Sequence, residues 1–241
     1  MLYIVPTPIG NLQDITLRAQ EVLKTADFIL CEDTRHTQKL LSSLGVSARA
    51  VRYNENDFGS INHCLSLLKA GKTCALVSDA GTPCVSDPGY KLVAAARKEG
   101  IKLCALPGPS ALTCALSASG LSGGGFCFLG FLPQKKGKAL ALTRAALAVG
   151  KPVVIYESPY RIIKLLELFC QNFGPSMKIV LARELTKTFE EYLCSSLGEV
   201  LANLKARKKI LGEFVLILDG REEDIEEPAQ NPAEENTEDY K

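Results

Sequence analysis

Four segments of the chain concentrate the residue types that build a rigid ligand cleft: PTPIGNL from Pro6, EDTRHT from Glu32, SDAGTPCVSDPG from Ser78 and PGPSALT from Pro107. Proline fixes the backbone and glycine lets it approach closely, so such loops hold a ligand with main-chain amides and carbonyls. None is a phosphate loop. GxxxxGK(S/T) does not occur and no GxGxxG follows a strand-like run, which argues against a nucleoside triphosphate or a dinucleotide. Gly120–Gly124, GLSGG, fits GxSxG, but it follows a helical pattern and the only histidines are His36 and His63, so a hydrolase elbow is a poor reading. There is no HExxH and no acid cluster with metal spacing, and no metal is expected. The ligand class left is an uncharged or zwitterionic nucleoside derivative.

These segments sit where strands should end. The apolar runs LYIV, DFILCE, AVRYN, CALVS and KLCAL are each followed by a 3.6-residue pattern, which predicts a mostly parallel sheet with helices on both faces over residues 1–121. In DITLRAQEVLKTA the apolar face is Ile15, Leu17, Val22 and Leu23, with Asp14 as the expected cap. Asp33 or Thr34 should cap a helix beginning near Arg35, and Ser110 another. After GLSGGG the pattern restarts with FCFLGFLP, PVVIYES, KIVLARE, EEYLCSS and EFVLILD. Several of these strands follow one another without a helix, which predicts a second, mixed α/β domain over residues 122–220. Ligands of open α/β sheets bind beyond the carboxyl ends of the strands.

Composition bounds the setting. The chain has 241 residues, 46% of them hydrophobic, enough for real cores. No apolar run approaches the roughly 18 residues of a membrane span and MLYIVPTPIG has no signal-peptide pattern, so a cytoplasmic protein is expected. The nine cysteines are widely spaced, mostly in apolar runs, and read as buried inert thiols. The net charge of +1 hides an asymmetry: residues 221–241 hold nine acids and two bases, leaving 26 bases and 18 acids, or +8, in residues 1–220. The acidic end, poor in apolar residues, is expected to be a disordered tail. The basic body fits a polyanionic partner.

VPTPIGNLQDIT, CEDTRHTQKLL, SDAGTPCVSDPG, LPGPSALTCAL, FLGFLP, YESPYR, ARELTKTFEE and GEFVL together closely resemble the ribosomal RNA small subunit methyltransferase I family of the tetrapyrrole methylase superfamily, from about Leu2 to Asp219. The resemblance implies two α/β domains with S-adenosylmethionine in the cleft between them, and a homodimer. It also implies methylation of the ribose 2′-oxygen of a cytidine in the decoding region of small-subunit rRNA, as naked RNA or in the assembled subunit. Carried over motif by motif, the donor site comprises Ile9, Gly10, Asp79, Ala80, Gly81, Thr82, Pro83, Val85, Ser110, Ala111, Tyr156, Glu157, Ala182, Leu185, Gly212 and Glu213. Thr82 stands where the superfamily's GDPxx loop usually has Asp.

A ribose hydroxyl is a weak nucleophile, so a base or a nearby cation would help its attack. Glu32, Asp33, Arg35, Glu157, Arg161, Arg183, Glu184, Lys187 and Glu190 are available. Glu184 or Asp33 is expected to orient the acceptor, with Arg35 and Lys187 on RNA phosphates. Lys135, Lys136 and Lys138 of QKKGK, together with Arg161, are further RNA contacts, and KARKK at Lys205–Lys209 is a second basic run. Phe131, Tyr156 and Tyr160 could stack on splayed bases. Two other readings remain open: a methyltransferase acting on a tetrapyrrole, and a non-catalytic RNA-binding assembly factor.

Overall fold

The computed structural model describes residues 1–121 and 124–220. Strands β1 (Leu2–Val5), β2 (Phe28–Cys31), β3 (Arg49–Arg52), β4 (Cys74–Val77) and β5 (Leu103–Ala105) form one parallel sheet in the order β3-β2-β4-β1-β5. A central strand of such a sheet is covered on both faces, and every residue of β4, CALV, is buried. The edge strand β3, RAVR, carries the arginines instead. Helices α1 (Leu17–Thr25) and α2 (Thr34–Ser43) cover one face, where Leu23 and Leu41 meet Val5, Ile29 and Val77. Helices α3 (Phe58–Lys69) and α4 (Tyr90–Lys98) cover the other, with Leu68 and Leu92 against Leu2, Leu30 and Leu76.

The second sheet is mixed, as expected, although helices separate every consecutive pair of its strands except Lys178–Arg183 and Glu191–Ser196. Its order is β6-β7-β10-β8-β9, where β6 (Cys127–Phe131) runs parallel to β7 (Val153–Glu157). The strands β8 (Lys178–Arg183), β9 (Glu191–Ser196) and β10 (Phe214–Leu218) complete it through antiparallel pairs. Central β10, FVLIL, is buried throughout. Helices α6 (Lys136–Leu147), α7 (Ile162–Phe173) and α8 (Leu197–Lys205) pack on one face around Phe169 and Phe214. The other face receives α5 (Ala111–Ser117), whose Leu112 and Ala115 meet Val154, Val215 and Ile217.

That placement of α5 differs from the sequence expectation of a fifth unit covering the first sheet. Leu112 and Ala115 are its buried residues, and their apolar partners lie on the second sheet, so α5 ties the two halves together. The start of α1 differs as well. Asp14 lies in a short 3-10 turn, Leu12–Asp14, and Thr16 is the cap, its hydroxyl accepting from the amide of Ala19. Leu17, at the first helical position, points outward and is 85% exposed, whereas Ala19, Val22 and Leu23 face the core. Asp33 caps α2 as expected, accepting from the amides of Arg35 and His36.

The nine cysteines are free thiols; Cys31, Cys64 and Cys74 are buried, Cys194 is exposed and the rest are half-buried, fewer inside than their apolar runs suggest. Burial pushes the thiols of Cys64, Cys74 and Cys84 up to about 11, which keeps them protonated and unreactive at neutral pH. Among the described residues no helix is long and apolar enough to cross a membrane. Ser122 of the GxSxG match and the acidic end at 221–241 lie outside the described residues.

Candidate active site

The loops that leave β1, β4 and β5 meet the second sheet around a cavity of about 390 Å³. That size suits a small-molecule ligand. The long loop after β4 is pinned from both sides. Thr7 and Gly81 exchange main-chain hydrogen bonds of 2.9 Å, the Thr7 hydroxyl donates to the carbonyl of Ser78, and the Ser78 hydroxyl donates to that of Gly81. Thr82 donates to the carbonyl of Pro109 at 3.0 Å, so the hydroxyl at this position latches the β4 loop onto the β5 loop. The amide of Gly89 closes the loop on Glu55 at 2.6 Å.

The backbone around the cavity is strained. Among the described residues, the non-glycine positions with positive φ are Cys84, Ser86, Glu184 and Thr186, two in each of the loops that follow β4 and β8. Left-handed conformations at such residues cost energy and persist where the surroundings fix them, most often at functional sites.

Opposite the β4 loop stands a compact ionic turn. Lys187 donates to Glu184 at 2.9 Å and to Glu213 at 3.0 Å, while the amide of Glu213 donates to the same Glu184 oxygen at 3.1 Å. Burial by itself would raise the Glu184 carboxyl, but the hydrogen bonds from Lys187 and the Glu213 amide outweigh it and hold the group below its ordinary value. Burial likewise works against the Lys187 ammonium, and the same two carboxylates reverse it, so its pKa is raised. Tyr156 closes the floor: its ring lies edge-on to Phe128 and Phe131, and its oxygen accepts from the amide of Leu112 at 2.9 Å.

Most of the donor residues named from sequence line this one cavity. Ile9, Asp79, Ala80, Gly81, Thr82, Val85, Ser110, Ala111, Tyr156, Glu157, Leu185 and Glu213 are on its wall, with Lys187 beside them. The remainder stand behind it. Pro83 is buried in the β4 loop and Ala182 is fully buried in β8. Gly10 abuts Leu185, Thr186 and Lys187 so closely that a side chain there would collide, and Gly212, at φ 92°, leaves the space that Glu184 fills. Ser110 precedes α5 without a side-chain capping bond; its hydroxyl is hydrogen-bonded to that of Tyr156 on the cavity wall. The wall also includes Ser86, Asp87, Ser158, Pro159, Phe214 and Val215. Of these, Ser86 and Asp87 lay within the quoted SDAGTPCVSDPG loop, where a carboxylate at the loop's far end was the available signal.

Asp87 is the electrostatic exception of the site. Burial, then the charges of Glu32 and Asp79, pushes its carboxyl up to about 6. Glu32 is raised for the same reasons, burial first and then Asp79 and Glu55. Among the described residues Asp87 makes no ion pair and accepts no hydrogen bond. Asp33 and Arg35 lie off the cavity wall and are occupied with each other, Arg35 at 3.4 Å from Asp33 at the start of α2. Arg161 donates to the carbonyl of Leu132 and lies 3.3 Å from the buried Glu157, whose other oxygen accepts from the amide of Ser158. Arg183 and Arg207 converge on Glu191, away from the cavity. Lys135, Lys136 and Lys138 are exposed around the first turn of α6, and Tyr160 is exposed beside Pro159.

Known proteins resolve the family. The sequence pattern of Tetrapyrrole (Corrin/Porphyrin) Methylases matches residues 1–201. Ribosomal RNA small subunit methyltransferase I of Escherichia coli O157:H7 is 48% identical over 232 residues, spanning 93% of this chain and 80% of that protein. The protein of the same name from Thermotoga maritima is 42% identical, spanning 92% of this chain and 99% of its own length. The chain belongs to the tetrapyrrole methylase family, in its ribosomal RNA small subunit methyltransferase I branch. Solved structures share the fold at low identity. Diphthine synthase superposes with a TM-score of 0.68 at 15% identity, covering 90% of this chain and 89% of that one. Uroporphyrin-III C-methyl transferase from Thermus thermophilus, complexed with S-adenyl homocysteine, gives 0.64 at 19%, covering 90% and 96%. The two-sheet, cleft-forming architecture is therefore the tetrapyrrole methylase fold.

Proposed function

We propose that this chain methylates small-subunit ribosomal RNA with S-adenosylmethionine, and that its acceptor is the ribose 2′-hydroxyl of a cytidine in the decoding region. The observation that carries the reading is the convergence of the family's loops on a single cavity, in a chain 48% identical to a ribosomal RNA small subunit methyltransferase I along 93% of its length. A sulfonium nucleoside fits that cavity chemically. Small residues at Ala80, Gly81, Ser110 and Ala111 expose main chain, Ile9, Leu185 and Val215 give an apolar wall, and Asp79 and Asp87 are carboxylates that a cation would relieve of mutual repulsion.

When bound, S-adenosylmethionine supplies an electrophilic methyl carbon. The protein's part is to hold an acceptor oxygen in line with that carbon and to manage the proton the oxygen loses. Asp87 is the group we assign to the proton. It lines the cavity and is unpaired, whereas Glu184 is engaged by Lys187 and Asp33 by the helix it caps. With donor and acceptor in place, the Asp87 carboxylate would accept the proton that the hydroxyl gives up as the oxygen–methyl bond forms and the donor's sulfur–methyl bond breaks. Lys187 and Glu184 act by positioning Glu213 on the cavity rim. Ring edges at Phe131 and Tyr156 shape the side nearer the second sheet.

A homodimer and a cytoplasmic setting belong to the same proposal. Light scattering should give a particle of about twice the 26.1 kDa chain mass. The decisive experiment supplies methyl-labelled donor with either assembled small subunits or naked rRNA from cells lacking this protein, then maps the label. Label on a decoding-region ribose is the expected result. Label on a tetrapyrrole and none on rRNA would overturn the reading.

A further inference from the structure

Two exposed aromatic rings stand at the carboxyl ends of neighbouring strands, on the rim of the cavity. Phe131 ends β6, is 56% exposed and lines the cavity wall, its ring centroid 5.8 Å from that of Tyr156. Tyr160 follows β7 directly after the wall residue Pro159, is 90% exposed and makes no ring contact among the described residues. Strands β6 and β7 pair in parallel with Phe131 opposite Tyr156, so both rings belong to one end of the same strand pair. The turn that presents Tyr160 is fixed at three points. Glu157 accepts from the amide of Ser158 at 2.7 Å, and the amide of Arg161 donates to the carbonyl of Ser158 at 3.1 Å. The Arg161 guanidinium donates to the carbonyl of Leu132 at 2.9 Å, which ties the turn to the residue after Phe131. A ring carried on a fixed turn has little freedom left to lose when a ligand covers it.

This rim meets the reaction site in a direct contact. Gly130, at φ 60°, precedes Phe131, and a Cβ there would lie 2.9 Å from the hydroxyl oxygen of Ser86. Ser86 is followed by Asp87, the group assigned to the acceptor's proton, so the carboxyl end of β6 abuts the β4 loop where the hydroxyl must be presented. Beyond Leu132 the rim turns cationic. Lys135, Lys136 and Lys138 are exposed, and none is ion-paired among the described residues. No acid occurs in the chain between Glu99 and Glu157. Acids, not lysines, stabilise the first turn of a helix, so the three do nothing for α6 itself. Aromatic rings beside unpaired cations, opening onto a cavity, suit an unstacked nucleotide, whose base covers the rings and whose phosphates meet the ammonium groups. A second copy of this chain would have to desolvate those charges to cover the same rings, which favours the nucleotide.

We propose that Phe131 and Tyr160 form the stacking platform for the acceptor nucleotide, so that the protein acts on RNA whose target base is turned out of its stack, with Lys135, Lys136 and Lys138 on the neighbouring phosphates. The proposal rests on the rRNA methyltransferase reading and deepens it by naming what holds the acceptor. Tyr160 is the residue to test, because it is off the cavity wall and its removal costs no packing. Tyr160→Ala should raise KM for naked rRNA by about 5- to 150-fold, the range of one base–aromatic stack, with donor affinity unchanged in calorimetry. Tyr160→Phe keeps the ring and should restore the KM. The chain has no tryptophan, so Tyr160→Trp introduces a single indole emitter. Its fluorescence should be quenched by an RNA fragment carrying the target, and not by the same fragment with abasic sites at the target and its two neighbours. An unchanged KM in Tyr160→Ala and no quenching in Tyr160→Trp, in a protein that methylates rRNA, overturn the platform and leave the function standing. Equal losses in Tyr160→Ala and Tyr160→Phe would put the phenol hydroxyl, not the ring, on the RNA and overturn stacking. A Tyr160→Ala particle of half the wild-type mass in light scattering would assign the ring to contact between copies and also overturn the proposal. Wild-type protein that neither binds nor methylates rRNA overturns both readings.

Discussion

Asp87 shows how one residue can matter to chemistry and cost the fold stability at the same time. Its ordinary carboxyl value is 3.8, and burial beside Glu32 and Asp79 moves it to about 6. A base works deprotonated, so kcat/KM should rise with pH through about 6 and level off above it. Asp87→Asn should lower kcat by about 10²- to 10⁴-fold and remove that limb, with donor affinity retained in calorimetry. An unaltered pH profile in the variant would return the role to another group. The stability consequence has the opposite sign. Because the folded value is raised, the folded state holds the proton more tightly between about 4 and 6, and its advantage is lost as pH rises through that window. At pH 7 the folded protein therefore carries a disfavoured charge. Allowing for solvent screening at a partly exposed group, Asp87→Asn should gain about 1 kcal/mol, or roughly 2–4 °C in Tm. The variant is expected to be the sturdier and the slower protein, a trade met at many active sites.

At the scale of elements, the site depends on loops that lock together by shape. Gly212 combines φ 92° with the Glu184 side chain lying where its own Cβ would be. Gly100, at φ 69°, has the same handedness with nothing within 4 Å. Gly100→Ala should cost about 1–2 kcal/mol from backbone strain alone. Gly212→Ala should cost about 1–2 kcal/mol more and also weaken donor binding, because it dislodges Glu184 and with it Lys187 and Glu213. Equal losses in urea titrations of the two variants would mean that the turn yields without strain. Much of this arrangement was legible in the sequence. Parallel strands announce themselves as short apolar runs, and the proline- and glycine-rich segments mark where those strands end. Asp33 was legible as a cap because capping needs only local geometry. The partners of α5 were not, because Leu112 and Ala115 state only that the helix has an apolar side. The role of Asp87 was hidden for a related reason: in the sequence it is one acid in a turn, and only the fold brings Glu32 and Asp79 close enough to change its proton affinity. Gly10 and Gly212 were read as donor contacts, whereas the space each leaves is taken by a neighbouring side chain of the protein itself.

The whole molecule adds a charge asymmetry that no single site contains. Residues 1–220 carry a formal +8 and residues 221–241 a formal −7, so the chain presents a basic body joined to an acidic end. A basic body attracts RNA before any specific contact forms, and an acidic segment on the same chain competes with that attraction. Truncation after Gly220 raises the formal net charge from +1 to +8 while leaving every described residue of the cavity in place. The truncated protein should bind short single-stranded RNA several-fold more tightly than the full chain at 0.05 M salt. Screening shortens the reach of charge from about 10 Å at 0.1 M salt to about 3 Å at 1 M, so the two affinities should converge as salt is raised. Fluorescence anisotropy across a salt series measures both arms. A constant difference at all salt concentrations would mean that residues 221–241 occlude the RNA surface by direct contact, and identical curves would mean that the cations which meet RNA act locally.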